Sequence, residues 1–262
     1  MARRRTTIAA VFVSLLLGRA AFAQQSPSPR ARNPEGSATG KSTVLQPDTD
    51  LIDAPTAGVL DHGAFANRAR FFSNGGVADW VSFGVYPRVH LGASFNVDQL
   101  LGTGSPVKIT RPELQLKFRF FDGERILPAL AIGYDGQGYL YNRPDKRYNQ
   151  RQRGVYLVGS QEIGVPGLQA HAGVNISDFD SNSIFGLLAT SFNIADKVLL
   201  MAEWDNISNY VDSRVNMGLR VYLTPNFSFD FAGRGVGQGG HFTDGVARGA
   251  ERIAQFKYTG SF

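Results

Sequence analysis

From residue 64 to residue 262, apolar side chains return at nearly every second position. A helix would scatter such residues around its cylinder, whereas a strand places them all on one face. Residues 112–121 read PELQLKFRFF: Leu114, Leu116, Phe118 and Phe120 point one way, and Glu113, Gln115, Lys117 and Arg119 the other. Met217, Leu219 and Val221, and then Phe227, Phe229 and Phe231, repeat the pattern. About twelve such runs can be marked, at 63–72, 79–86, 88–98, 112–121, 127–138, 154–163, 168–178, 183–192, 197–207, 213–223, 226–236 and 251–262. Two of them, 154–163 and 183–192, do not show which face is the apolar one.

The connections narrow the architecture further. Tight turns such as Tyr86-Pro87-Arg88, Asp122-Gly123-Glu124, Val165-Pro166-Gly167, Ile194-Ala195-Asp196 and Thr224-Pro225-Asn226 alternate with longer polar segments, including 99–111, 140–153 and 237–250. Short turns at one end, longer loops at the other and an even strand number are the pattern of an antiparallel up-and-down transmembrane β-barrel. Closure also removes the sheet edges that lipid cannot satisfy. The last run alternates through Phe256, Tyr258 and Gly260 to a terminal Phe262. It resembles the C-terminal signal by which the barrel-assembly machinery recognises outer-membrane barrels. The ten residues Leu114 to Phe120 and Met217 to Phe231 named above are expected to face lipid. Trp80, Tyr86, Tyr139, Tyr156, Trp204 and Tyr258 are candidates for the interface. A water-soluble β-sandwich shares the alternation and is the alternative that these loop and terminal features disfavour.

The first segment reads as an export signal. Arg3, Arg4 and Arg5 precede a ten-residue, mostly apolar stretch, and Ala21-Phe22-Ala23 supplies a small-residue cleavage site. The apolar stretch is too short to span a bilayer as a helix. The expected organisation is a signal peptide at 1–23, a flexible polar linker or periplasmic tail at 24–50, and the barrel at 51–262, resident in the outer membrane of a Gram-negative bacterium. The formal charge of +5 includes four arginines from residues 1–23, which hold no acid, so the mature chain is near +1. That removes the basis for a nucleic-acid partner. With no cysteine there are no disulfides, thiolate metal sites or cysteine nucleophiles.

Several segments carry a resemblance. Leu51-Ile52-Asp53-Ala54-Pro55-Thr56-Ala57-Gly58-Val59-Leu60 is followed by Asn74-Gly75-Gly76-Val77, Arg111-Pro112, PALAIGYDGQG at 128–138 and Gly173-Val174-Asn175. This order resembles the YjbH-like outer-membrane proteins, with the match running over about residues 50–176. The resemblance implies a barrel and a link to exopolysaccharide production. It implies no catalytic residues, and this chain has room for a single barrel.

Motifs for chemistry are sparse. His62, His90, His171 and His241 show no metal-binding spacing. His90 and His171 are expected on the lumen face. Gly235-Val236-Gly237-Gln238-Gly239-Gly240 matches a dinucleotide fingerprint formally but opens no helix. Asp178-Phe179-Asp180-Ser181-Asn182 resembles the start of a calcium loop, without its glycine or its later acid. No cofactor and no enzymatic activity are expected.

Charge is the more informative signal. Arg68, Arg70, Arg88, Lys117, Arg119, Arg214, Arg220 and Arg234, with Arg252 and Lys257, are expected to line the lumen against Glu113, Asp135, Glu162, Glu203, Asp205 and Asp230. A basic excess of this kind favours anions. Arg143, Lys146, Arg147, Arg151 and Arg153 form a basic loop suited to lipopolysaccharide phosphates or an acidic polysaccharide. The leading expectation is a transport- or export-associated barrel for exopolysaccharide or small anionic solutes. The alternatives are a structural or surface-interaction barrel with a closed lumen, and a lipid-modifying barrel enzyme.

Overall fold

The computed structural model describes residues 45–102, 106–124, 126–177, 183–208, 213–242 and 245–262. The expected signal peptide, residues 24–44 of the expected linker, and the Asp178-to-Asn182 segment lie outside them.

The strands, in chain order, are β1 (Ala64–Phe72), β2 (Gly76–Tyr86), β3 (Val89–Asp98), β4 (Lys108–Ile109), β5 (Glu113–Phe121), β6 (Ala129–Asp135), β7 (Tyr139–Asn142), β8 (Arg147–Gln150), β9 (Gly154–Glu162), β10 (Leu168–Ile176), β11 (Phe185–Ile194), β12 (Val198–Asp205), β13 (Arg214–Thr224), β14 (Phe227–Val236) and β15 (Glu251–Ser261). Twelve of these are the staves of a closed antiparallel barrel. The remaining three are short loop strands: β4 pairs on β3, and β7 with β8 forms a separate hairpin. Each stave pairs with its neighbour in the chain. β1 closes the ring on β15, with Ala64 opposite Ser261 and Phe71 opposite Ala254. The backbone N–H of Phe262 donates to the Gly63 carbonyl at 3.0 Å, fastening the two ends of the barrel together.

The outer wall is apolar. Leu114, Leu116, Phe118, Phe120, Met217, Leu219 and Phe231 are exposed, as are Phe83, Leu91, Ile132, Leu157, Leu188 and Leu200 on other staves. Water-soluble monomers rarely present apolar area on this scale. Phe227, Phe229 and Phe256 share the outer face and cover one another, with ring centroids 4.5 Å apart for Phe229 and Phe256.

Three expected interface aromatics face inward instead. Trp80 shares the parity of Ala78 and lies in the lumen, with the Arg68 guanidinium 4.0 Å above its ring. Tyr156 packs inside with Ala57, Ala131 and Val158. Tyr139, on the β7 loop strand, is folded into the lumen against Phe72 and Trp80. Tyr86, Trp204 and Tyr258 are exposed. Arg252 is also displaced from its expected face: Glu251, Ile253 and Gln255 point inward, so Arg252 lies on the outer side with Phe256 and Tyr258.

Residues 45–60 enter the barrel. Thr49 and Thr56 pair through an N–H···O bond of 3.2 Å, Asp50 bridges to Pro55, and the Leu51 N–H donates to the Ala54 carbonyl at 3.0 Å. This is a tight hairpin with Ile52 and Asp53 at its tip. Leu51, Ile52, Ala54, Ala57, Val59 and Leu60 are all 2% exposed or less. Residues 45–50, expected as the end of a linker, thus form the entering arm of this hairpin. Two glycines permit it. A Cβ on Gly58 would sit 2.4 Å from the Asp48 carbonyl oxygen of the opposite arm, and one on Gly84 would sit 1.9 Å from that of Asp61, where the chain leaves the hairpin for β1.

Candidate functional site: a lumen closed by a hairpin

The hairpin is recognised along its length by the barrel wall. At the tip, the amides of Ile52, Asp53 and Ala54 converge on the Glu203 carboxylate of β12, at 2.7, 3.0 and 2.9 Å to Oε1. Successive backbone amides in a turn form a concave anion seat, and here a wall residue supplies the anion. Asn216 donates to the other Glu203 oxygen at 2.8 Å and holds the carboxylate in place.

The tip aspartate is clamped in turn. Arg70 donates to Asp53 Oδ1 at 2.8 Å and Arg234 to Oδ2 at 2.7 Å. Burial pushes the Asp53 carboxyl up, but Arg234 and Arg70 outweigh it and hold the group far below the usual carboxylate range. Arg153 reaches the Asp53 carbonyl at 2.9 Å and binds Asp205 with both terminal nitrogens. Arg70 also donates to the Ile52 carbonyl.

The two arms are held similarly. Arg220 makes a two-pronged contact with Asp230, at 2.8 Å each, and reaches Asp48 at 2.6 Å. Tyr222 donates to Asp48 as well, at 2.8 Å. Arg68 pairs with Asp50. Lys117 donates to the carbonyls of Thr49, Thr56 and Gly58. The Ala57 amide donates to Ser160 Oγ at 2.8 Å, and Ser160 in turn meets His171 Nδ1 at 2.8 Å, whose Nε2 lies 3.2 Å from Ser191. Leu51, Ile52 and Ala54 fill an apolar seat made by Phe72, Leu187, Leu199, Met201 and Ile253. Full burial of a leucine or isoleucine side chain contributes about 1.5–3 kcal/mol.

These contacts place the candidate lumen residues. Arg68, Arg70, Lys117, Arg220 and Arg234 face inward and touch the hairpin directly; Arg214 binds Asp205 at 2.8 Å. Arg88 lies in the β2–β3 turn, where it pairs with Asp122 and is exposed; the buried Arg119 reaches the same carboxylate at 2.9 Å. Arg88 thus belongs to the short-turn rim, while Arg119 faces inward on β5 beside the hairpin. In the basic loop, Arg143, Lys146 and Arg147 stand exposed at the β7–β8 tip. Arg151 rests against Phe185, and Arg153 is buried inside on Asp205. Of the histidines, His90 and His171 are buried in the lumen. Among the described residues, no group of histidines and acids could hold a metal ion.

Two cavities remain between hairpin and wall. One, of about 100 Å³, is lined by residues including Asp50, Arg68, Trp80, His90, Lys117, Asp135 and Lys257. The other, of about 70 Å³, lies by Asp48, Gly58, Arg119, Glu162 and His171.

The sequence by itself leaves open whether residues 24–60 plug the barrel or hang in the periplasm, because partners of the hairpin such as Glu203 and Arg220 lie 151 and 172 residues away in the chain. One signal did point to it. The runs whose apolar face could not be assigned, now β9 and β11, are apolar on both faces: Leu157 and Leu188 point out, while Tyr156, Val158, Phe185 and Leu187 point in. An inward apolar surface in a barrel requires an apolar occupant.

No protein-family profile and no curated protein matches the chain. Among solved structures, the NanC porin is similar at 8% identity and a TM-score of 0.39, over 76% of this chain and 99% of that one. The N-terminal β-barrel domain of Pseudomonas aeruginosa OprF is similar at 9% and 0.24, over 76% and 98%. The outer membrane channel DcaP of Acinetobacter baumannii is similar at 8% and 0.26, over 76% and 96%.

Proposed function

We propose that the chain is an outer-membrane β-barrel of the channel type, held closed by its own residues 45–60. The exposed apolar wall supports residence in a membrane, and closure of the sheet makes that wall tolerable to lipid. The observation that carries the channel reading is the charge match between hairpin and wall. Asp48, Asp50 and Asp53 are bound by Arg220, Arg68, Arg70 and Arg234. These are the residues whose basic excess suggests an anion path. The excess is therefore the complement of the hairpin, and it becomes an anion-attracting lining when the hairpin leaves. No chemical step is assigned to the barrel: the ring nitrogens of His171 are both engaged by serine hydroxyls.

Planar-bilayer recording tests this. The full chain should show little conductance. A variant lacking residues 45–60 should give discrete openings with anion preference. Equal conductance from both would refute the closed resting state. Cation preference in the shortened variant would refute the assignment of the lining. An acidic glycan as cargo draws support from the YjbH-like resemblance, whose LIDAPTAG segment is the hairpin tip and returning arm. Arg143, Lys146 and Arg147 are proposed to contact lipopolysaccharide phosphates from the exposed loop.

A further inference from the structure

We infer that the larger lumen cavity is a binding site for a small oxyanion, a phosphate or carboxylate group, seated between the hairpin and the β15–β1–β2–β3–β5 wall. The argument rests on what surrounds it. Arg68 and Lys257 are cross-strand partners, as are Arg68 and Trp80, and His90 lies opposite Lys117. All five line the cavity, and Ser82 lines it as well.

Their charges are incompletely answered. Among the described residues, the Lys257 side chain, 8% exposed, makes no hydrogen bond, and its nearest carboxylate is Asp50, 3.9 Å away. Asp50 is already paired with Arg68. Lys117 is 3% exposed and spends its donors on three neutral carbonyls. Asp53, also on the cavity, is taken by Arg70 and Arg234, and Asp135 accepts from Gln115 at 3.1 Å and from the Gln137 amide at 2.9 Å. With Asp53 answered by Arg70 and Arg234, the three cations Arg68, Lys117 and Lys257 face the two carboxylates Asp50 and Asp135. His90 is 6% exposed, and among the described residues neither its Nδ1 nor the buried Trp80 Nε1 has a hydrogen-bond partner. Buried charges and buried donors are costly unless paired. A singly charged oxyanion supplies the missing charge and acceptors for Lys257 and His90 together, and about 100 Å³ accommodates one.

The site depends on the docked hairpin, since Asp50 and the lysine-bound carbonyls form one of its walls. It is otherwise independent of whether the barrel conducts. The test is calorimetric titration of the full chain folded in detergent, with inorganic phosphate and separately with glucuronate, at constant ionic strength. Saturable one-to-one binding of either probe is expected, and which probe binds separates phosphate from carboxylate recognition. Lys257→Met should weaken it about tenfold or more, the scale of one charge-assisted hydrogen bond, while Lys197→Gln in the exposed β11–β12 turn leaves it unchanged. Should Lys257→Met fail to fold, His90→Leu carries the same expectation. No saturable binding of either probe would overturn the site, and so would binding that the wall substitution does not weaken. Conductance of the intact chain would instead count against the closed-channel reading alone.

Discussion

Replacing Glu203 by alanine removes the acceptor shared by three hairpin amides. The carboxylate takes N–H bonds from Ile52, Asp53 and Ala54 at 3.0 Å or less, in surroundings where Glu203 is 3% exposed. Stranding a buried donor costs about 1–3 kcal/mol, and bonds to a charged acceptor lie toward the upper end. Water admitted into the space left by the side chain recovers part of that. A net loss of about 3–6 kcal/mol in hairpin retention follows, which shifts the docked–released equilibrium by roughly 10²–10⁴. The chain contains no cysteine, so Ala57→Cys introduces a single thiol at a position 1% exposed in the docked hairpin. Labelling by a water-soluble maleimide then reports the released population. The double variant Glu203→Ala/Ala57→Cys should label 10²–10⁴ times faster than Ala57→Cys alone, up to the rate of an exposed thiol. Retained heat-modifiable gel migration shows that the barrel itself is intact. Equal labelling rates with an intact barrel would refute the view that the amide seat on Glu203 holds the hairpin.

Asp53 makes retention pH-dependent: its carboxyl is lowered from 3.8 by Arg234 and Arg70, so its contribution is complete well above that pH and drains away as pH falls below it. Channel openings should grow more frequent on acidification, and Asp53→Asn should flatten that dependence while raising openings at neutral pH. Gly58→Val puts a side chain where a Cβ already lies 2.4 Å from the Asp48 carbonyl oxygen, so the arms cannot close and bilayer recording should show a conducting barrel. Phe118→Arg places a charge on the lipid face of mid-β5, and denaturant unfolding from vesicles should show a loss of about 2–4 kcal/mol.

Sequence by itself determined the barrel. Parity along each strand is a local property, written in residues two apart, so the twelve runs can be read directly, and on ten of them the outer apolar face as well. The five tight turns mark one rim. Parity also had its limits. Trp80, Tyr139 and Tyr156 suit an interface by chemistry, but two are turned inward by their strand's phase and one by the fold of its loop. Alternation became illegible at β9 and β11, where an apolar lumen face meets Leu51, Ile52 and Ala57.

Only the tertiary structure decided what fills the barrel. The hairpin's partners lie far away in the chain: Glu203 is 151 residues from Ile52 and Arg220 is 172 from Asp48. No spacing rule connects such groups. A lumen rich in arginine reads as a path for anions when the wall is counted alone. It becomes a closed, nearly neutral assembly once three aspartates from residues 48–53 are set among those arginines, because a buried guanidinium takes the carboxylate that the completed fold brings within reach.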